Sequence, residues 1–174
     1  AEDPITEKDR GDRAWEEGKS DVVQPVVCKS QQQKILSFID AARDTGIEVL
    51  TGGGGPDITN PSGYFVEPTV LNNVPRDSDV WQKEVFGPVL SVRSFSSESD
   101  AVIEANSTAF GLASTVMSSD AAKAMRVANR IRAGAVYATS NGDGLLAEHP
   151  AVSRGGFGCS GVGRELGIGG LHEY

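Results

Sequence analysis

The sequence has no excess of positive charge and no long apolar run. Its 174 residues include 16 Lys and Arg against 24 Asp and Glu, which gives a net charge of −8. Nucleic-acid binding needs clustered basic side chains that neutralise phosphates, so no nucleic-acid partner is expected. A membrane-spanning helix needs about 20 consecutive apolar residues. No stretch of the sequence approaches that length, so no membrane partner is expected either.

Cysteine and histidine are also scarce. Cys28 and Cys159 lie far apart in the sequence, and they form no recognisable metal-ligand spacing with His149 and His172. The pattern therefore predicts neither a disulfide framework nor a metal site, and it suits a reducing, intracellular compartment, either cytoplasmic or organellar. Residues 1–10 contain neither a basic stretch nor the apolar segment of an export signal, so no targeting signal is visible in this chain.

The remaining sequence alternates between strand and helix patterns. Residues 1–24 are polar and unpatterned, which predicts a loose surface segment or an insertion. The spacing of Ile35, Phe38, Ile39 and Ala42 then predicts a helix with Ser30 as its N-cap and Gly46 as its stop. Further helices are expected from about Asp77, over 98–107 and over 120–132. Strands are expected at 47–50, 64–71, 88–95, 111–117 and 134–139. This alternation is typical of an α/β fold with a mostly parallel sheet and helices on its faces.

The stretch "RGGFGCSGVGREL" contains a possible phosphate-binding pattern. Gly156, Gly158 and Gly161 have the G-x-G-x-x-G spacing of a dinucleotide-binding turn, with Cys159 between them. That interpretation requires a preceding strand, a following helix and an acidic residue about 20 positions later. The segment before the glycines contains a proline and does not read as a strand, which favours a structural loop with glycines at positive φ. Cys159 is predicted to be a bystander thiol.

Glu84 and Phe86 are the stronger candidates for a binding role. They lie in "WQKEVFGPVL", where Gly87 and Pro88 predict a rigid turn that opens an apolar strand. A carboxylate beside an aromatic ring could bind sugar hydroxyls while the ring covers a flat heterocycle. A surface glutamate at the end of a helix explains the same residue, and composition alone favours that simpler interpretation.

Five motifs, in the same order, resemble those of the NAD(P)-dependent aldehyde dehydrogenases. They are "QQQKILSFIDAARDTGIEVLTGG", "GYFVEPTVLNNV", "KEVFGPVLSVRSF", "EANSTAFGLASTV" and "GGFGCSGVGRELGIGGLHEY". The resemblance covers about Val26 to Tyr174, and "VWQKEVFGPVL" is most similar to the betaine or amino aldehyde branch. It implies a three-layer α/β fold in which residues 25–174 form the C-terminal portion of the family's catalytic domain.

The resemblance also implies roles for specific residues. Glu84 and Phe86 would hold the nicotinamide ribose and pack beside the nicotinamide ring of NAD or NADP. The substrate would be an aldehyde, oxidised to a carboxylic acid. The family's nucleophilic cysteine and base glutamate match no position here, and neither Cys28 nor Cys159 occupies the nucleophile's place. The chain is therefore expected to be truncated, to contain no catalytic residue and to be inactive alone.

Three accounts of such a chain stay open. It could belong to a homo-oligomeric dehydrogenase, or it could be one half of a split enzyme completed by an upstream fragment. It could also be a non-catalytic structural or interaction protein that uses the loop at 140–155 as a binding surface. That loop is longer than in the family pattern, so it leaves the identity of the aldehyde open.

Overall fold

The computed structural model describes residues 23–55, 63–140 and 150–174. The chain divides into two compact units, Ala1–Ser94 and Phe95–Tyr174. Almost all of the predicted loose segment at 1–24, and most of the loop at 140–155, lie outside the described residues. No helix in the described ranges is long and apolar enough to cross a membrane.

The first unit contains a small three-stranded sheet with two helices. Its elements are α1 (Lys29–Asp44), β1 (Glu48–Thr51), β2 (Thr69–Asn72), α2 (Asp79–Gln82) and β3 (Val89–Ser91). The strand order is β1-β2-β3. β1 runs antiparallel to β2, whereas β2 and β3 are parallel, with Thr69 opposite Val89 and Leu71 opposite Ser91. The crossover between these parallel strands contains α2 and the residues that precede β3.

The core of the first unit forms against one face of α1. Ile35, Ile39 and Ala42 recur at helical spacing and are buried, as the sequence predicted, and Phe38 packs partly against them. The same cluster contains Ile47, Val66, Leu71, Val74, Val80 and Val85. Apolar side chains from the helix, the sheet and the crossover thus meet in a single core, which stabilises the crossover as well as the sheet.

The predicted N-cap of α1 is wrong, whereas its predicted end is confirmed. The helix begins at Lys29, so Cys28 is the N-cap and Ser30 lies within the first turn. The amide of Gln32 donates to the carbonyl oxygen of Cys28 at 3.1 Å, which is the first helical hydrogen bond. The Ser30 hydroxyl instead shares a hydrogen bond with Cys28 Sγ at 3.1 Å. Gly46, with a φ of +80°, follows the last turn and ends the helix.

The second unit contains a β-α-β arrangement. Its elements are α3 (Glu98–Ala105), β4 (Ala113–Met117), α4 (Ala121–Ala128), β5 (Ala135–Thr139), a 3-10 turn (Gly158–Ser160) and α5 (Gly167–Leu171). β4 and β5 are parallel and pair continuously from Ala113 opposite Ala135 to Met117 opposite Thr139. Helix α4 connects them. Strand-helix-strand crossovers of this kind are the repeating unit of α/β proteins.

The predicted α/β class with mostly parallel pairing is confirmed, although the strands form two small sheets and several are shorter than expected. The predicted strand at 64–71 is observed only as Thr69–Asn72. Pro68 has no amide hydrogen for a sheet ladder, so regular pairing begins after it. The predicted strand at 88–95 is observed as Val89–Ser91.

Candidate functional site

Glu84 and Phe86 lie beside each other in the segment that joins α2 to β3. Both are exposed, and both line an open pocket of about 400 Å³. The other lining residues are Val80, Lys83, Val85, Gly87, Val89 and Ser91. The structure therefore brings the two predicted site residues together at one concavity, with a carboxylate and an aromatic ring available on its wall.

Phe86 has an unusual backbone conformation. Its φ is +62°, and among the described residues only Asn73 and Leu166 share a positive φ without being glycine. For a bulky residue this conformation costs about 1–3 kcal/mol, and it persists only where the surrounding structure enforces it. The side chain is nevertheless 70% exposed. Because the protein holds a strained backbone and leaves the ring outside its core, burial of Phe86 within this unit does not account for the conformation.

Two contacts from α1 hold this segment. The side-chain amide Nε2 of Gln31 donates to the carbonyl oxygen of Phe86 at 2.9 Å and lies 3.4 Å from that of Val85. Gly87 lies against Ile35 so closely that a Cβ at Gly87 would be 2.5 Å from Ile35 Cδ1. The amide of Val89 donates to the Gly87 carbonyl oxygen at 2.7 Å, which confirms a tight turn at Gly87 and Pro88.

Sequence reasoning identified Gly87 only as a turn residue and did not identify Gln31 at all. The structure shows that Gly87 is required by its close approach to a buried side chain, since its own φ is not positive. Gln31 stands in a run of three glutamines, Gln31 to Gln33, and composition does not distinguish them. The sequence feature that could have distinguished Gln31 is its position four residues before Ile35, on the side of α1 that faces the core.

The two charged side chains that line the pocket, Lys83 and Glu84, differ in whether they form an ion pair. Lys83 Nζ forms an ion pair with Asp79 Oδ2 at 2.8 Å, one helical turn earlier. Within the described ranges Glu84 makes no ion pair and no side-chain hydrogen bond. The carboxylate of Glu84 is consequently free, in this part of the chain, to accept hydrogen bonds from a ligand.

Neither cysteine has the surroundings of an activated nucleophile. Cys28 is half-buried, and its hydrogen bond with Ser30, followed by backbone hydrogen bonding, lowers the pKa of its thiol. Cys159 is exposed in the 3-10 turn. In the described ranges, neither thiol has a histidine or carboxylate partner of the kind that thiolate catalysis uses. His172 follows α5, and His149 lies outside the described residues.

Metal-ligating side chains do not cluster in the part of the chain that the structure describes. No group of three His, Cys, Asp or Glu side chains there could hold a metal ion.

The glycine-rich stretch at 154–165 is a closed structural loop. Arg154 and Glu165 pair through two backbone hydrogen bonds of 2.6 and 2.7 Å, which bring its ends together. Gly158 and Gly161 have positive φ, as the structural interpretation predicted. The Ser160 hydroxyl accepts a hydrogen bond from the amide of Gly111 at 3.0 Å. The stretch therefore has a structural role, since its contacts pack it within the second unit.

Comparison with known proteins gives a consistent result. The model of the aldehyde dehydrogenase family matches residues 11–174, and so begins upstream of Val26. The chain is 40% identical over 150 residues to the chloroplastic betaine aldehyde dehydrogenase of Beta vulgaris, covering 86% of this chain and 29% of that protein. It has the same identity and coverage with the peroxisomal aminoaldehyde dehydrogenase 1 of Pisum sativum. The predicted similarity to the betaine and amino aldehyde branch is thus confirmed.

Solved structures show the same relationship. An NAD-dependent aldehyde dehydrogenase from Sinorhizobium meliloti superposes with a TM-score of 0.80 at 32% identity, over 90% of this chain and 30% of that one. A betaine aldehyde dehydrogenase from Staphylococcus aureus, solved in complex with NAD+, gives 0.81 at 38% identity, over 89% and 30%. The chain spans about 30% of the length of these relatives. Sequence, fold and family model together show that the chain belongs to the aldehyde dehydrogenase family.

Proposed function

We propose that this chain forms part of an enzyme that oxidises an aldehyde to a carboxylic acid, with NAD+ or NADP+ as the hydride acceptor. Membership of the family supports the reaction class. Relatives named as betaine and aminoaldehyde dehydrogenases support an amino or betaine aldehyde as the substrate. An intracellular location is part of the same proposal, since relatives are named as chloroplastic and peroxisomal.

The cofactor contact of this chain is the pocket at Glu84 and Phe86. The observation that carries this proposal is a free, exposed carboxylate two residues from an exposed ring that is held at a φ of +62°. The Glu84 carboxylate would accept hydrogen bonds from the hydroxyls of the nicotinamide ribose. The Phe86 ring would pack beside the nicotinamide. The residues fit such a group because a flat ring offers apolar area, whereas a carboxylate accepts from two neighbouring hydroxyls.

The remaining catalytic groups are proposed to come from residues outside the described ranges. When bound, the nicotinamide cofactor accepts a hydride from the substrate carbon. The described residues would orient it and would supply neither the nucleophile nor the base, because both thiols lack a base partner. In this proposal the assembled enzyme consists of the chain together with the segment that carries the nucleophile.

Replacement of Glu84 by glutamine tests the cofactor contact. Glutamine keeps the size of the side chain and removes its charge and one acceptor, so we expect the dissociation constant for NAD+ to rise about tenfold in the assembled enzyme. Isothermal titration calorimetry measures that constant.

Glu48→Gln provides the matched control. Glu48 is an exposed carboxylate on β1 of the same unit; its Oε2 accepts from Asn72 Nδ2 at 2.8 Å, and it is not among the residues that line the pocket. We expect this variant to bind NAD+ as the parent protein does. Equal affinities in the Glu84 and Glu48 variants would contradict the proposed cofactor contact.

A further inference from the structure

We propose that Ser91 is a positioning residue for the cofactor site: its hydroxyl holds the carbonyl oxygen of Val80 and thereby fixes the point at which the chain leaves α2 toward Glu84. This inference rests on the function proposed above for the pocket. Ser91 acts through the backbone of α2, whereas Glu84 supplies the group that would meet the cofactor.

Ser91 is a polar residue on the inward face of an apolar strand. Val89, Leu90 and Ser91 form β3, and successive side chains of a strand point to opposite faces. Val89 packs against the core of the first unit, whereas Leu90 is exposed, so Ser91 shares the inward face with Val89. Ser91 is half-buried there. A hydroxyl at such a place needs a hydrogen-bond partner, because burial without one is costly.

The partner is the carbonyl oxygen of Val80 on α2. Ser91 Oγ donates to this oxygen at 3.0 Å. Val80 is buried, so its carbonyl group has little access to water and depends on a donor from the protein. In a longer helix that donor would be the backbone amide four residues later, which belongs to Glu84.

The Ser91 hydroxyl takes the place of that next helical hydrogen bond. Helix α2 closes with a bond of 2.9 Å from the amide of Lys83 to the carbonyl oxygen of Asp79. Lys83 has an extended backbone, with φ −119° and ψ 151°. This conformation carries the Glu84 amide away from the Val80 oxygen and leads the chain along the pocket. The bond from Ser91 satisfies the oxygen that the end of the helix leaves without its helical donor.

Strand β3 is a firm anchor for this contact. It pairs with β2 in parallel, with Ser91 opposite Leu71, and Leu71 is fully buried. Directly after Ser91, the amide of Val92 donates to the Leu71 carbonyl oxygen at 2.8 Å. A side chain on a paired strand holds its partner more precisely than a side chain on a loop. Ser91 thus fixes the end of α2 relative to the sheet.

Ser78 provides a matched comparison in the same crossover. Its Oγ donates to the carbonyl oxygen of Pro75 at 2.7 Å, which is again a serine hydroxyl bound to a backbone oxygen. Ser78 precedes the first residue of α2, and neither Ser78 nor Pro75 is among the described residues that line the pocket. Ser78→Ala therefore removes a comparable bond at the start of α2, whereas Ser91→Ala removes one at its end.

The first test measures the backbone without any cofactor. We would compare the Cα chemical shifts of Lys83 and Glu84 by NMR in the parent 174-residue chain and in the two alanine variants. Without the Ser91 hydroxyl, the Glu84 amide can reach the Val80 oxygen if Lys83 adopts a helical backbone, which avoids leaving that oxygen unsatisfied. We expect both shifts to move toward helical values in Ser91→Ala and to keep their parent values in Ser78→Ala.

The second test measures the cofactor and the substrate separately in the assembled enzyme. We expect Ser91→Ala to raise the dissociation constant and the KM for NAD+ about 3- to 10-fold, as for one lost neutral hydrogen bond. The KM for the aldehyde should change less than about twofold, because general damage to the fold would affect both ligands. Ser78→Ala should leave the NAD+ affinity unchanged.

Two results would overturn the inference. The first is unchanged shifts of Lys83 and Glu84 in Ser91→Ala, and a weaker NAD+ affinity beside unchanged shifts would assign Ser91 a direct contact instead. The second is shifted values with an unchanged NAD+ affinity, while Glu84→Gln still weakens NAD+ binding. If Glu84→Gln itself had no effect, the proposed cofactor site would be wrong, and so would the role of Ser91 in it. The chemical shifts would then still show whether Ser91 fixes the end of α2.

Discussion

At the scale of single residues, the missing side chain of Gly87 matters as much as the side chains around the pocket. A Cβ at this position would lie 2.5, 2.8 and 3.1 Å from the Cδ1, Cγ1 and Cγ2 atoms of Ile35. Ile35 is fully buried in a cluster of aliphatic side chains, so it has no open space into which it can move. The close contact between crossover and helix therefore depends on glycine.

Gly87→Ala should lower the free energy of unfolding by about 1–3 kcal/mol, the usual cost of overpacking a filled core. Chemical denaturation followed by circular dichroism measures the change. Gly55→Ala is the control in the same unit, because the one described atom within 4 Å of its added Cβ would be Leu36 Cδ1, at 3.7 Å. Adding Ile35→Val, which removes Cδ1, should make the Gly87→Ala cost smaller. Additive effects of the two changes would argue against the contact as the cause.

The sequence allowed Glu84 and Phe86 to be proposed as site residues, and the structure places both at one pocket, but the contacts that hold their segment could not be predicted. Glu84 and Phe86 could be proposed because a carboxylate and a ring precede a Gly-Pro turn. The contact of Gln31 with Phe86 joins residues 55 positions apart. No local pattern encodes a contact at that separation, and the positive φ of Phe86 contradicts the preference of its own side chain.

At the scale of secondary-structure elements, α3 and α4 are linked by charge. Arg126 on α4 donates to both carboxylate oxygens of Glu98 in the first turn of α3, from Nε at 3.0 Å and from an Nη at 2.5 Å. The hydrogen bonds from Arg126 lower the pKa of Glu98. Asp120, the N-cap of α4, accepts a hydrogen bond from the amide of Lys123 at 3.0 Å. This bond lowers the pKa of the Asp120 carboxyl as well.

Glu98→Gln should make the free energy of unfolding of this chain fall less steeply as the pH is lowered into the acid range. A carboxyl group whose folded pKa lies below its unfolded pKa stabilises the fold above the unfolded pKa, and this contribution is lost as the pH falls through the folded pKa. The parent chain should therefore lose stability below about pH 5 more steeply than the variant. Thermal melts across pH 3 to 7 measure the difference. In an Arg126→Leu background the substitution should have little further effect, and an undiminished effect there would exclude this pair as its source.

Element boundaries show where sequence patterns stop being informative. The buried face of α1 followed from the spacing of its apolar residues, because only one face of an exposed helix meets the core. Its start did not, since Ser30 bonds to Cys28 Sγ and leaves the capping position to cysteine. Strand β2 begins only after Pro68, because proline has no amide hydrogen to donate to a neighbouring strand.

At the scale of the whole molecule, the proposed cofactor contacts are accompanied by no candidate nucleophile in the described parts of the chain. We expect the purified chain, incubated with NAD+ and betaine or amino aldehydes, to produce no NADH. Addition of an upstream aldehyde dehydrogenase fragment that carries the nucleophile should restore activity. NADH absorbance measures both results. If the chain alone produced NADH at a rate that Cys159→Ala or Cys28→Ala abolished, the proposal that the nucleophile lies outside the described residues would be wrong. If the fragment failed to restore activity at high concentration, a non-catalytic role would be favoured.

The parallel pairing of β2 and β3 limits how this site can evolve. Parallel neighbours need a connection of roughly a dozen residues or more, and the connection here occupies only positions 73–88. The same short stretch contains Glu84 and Phe86. A deletion of more than about four residues within it would leave too short a connection for parallel pairing and would remove part of the pocket segment, whereas a point substitution could alter the pocket alone. Descendants of this gene should therefore diversify the site by exchanging side chains at constant length, and insertions or deletions should accumulate in other parts of the chain.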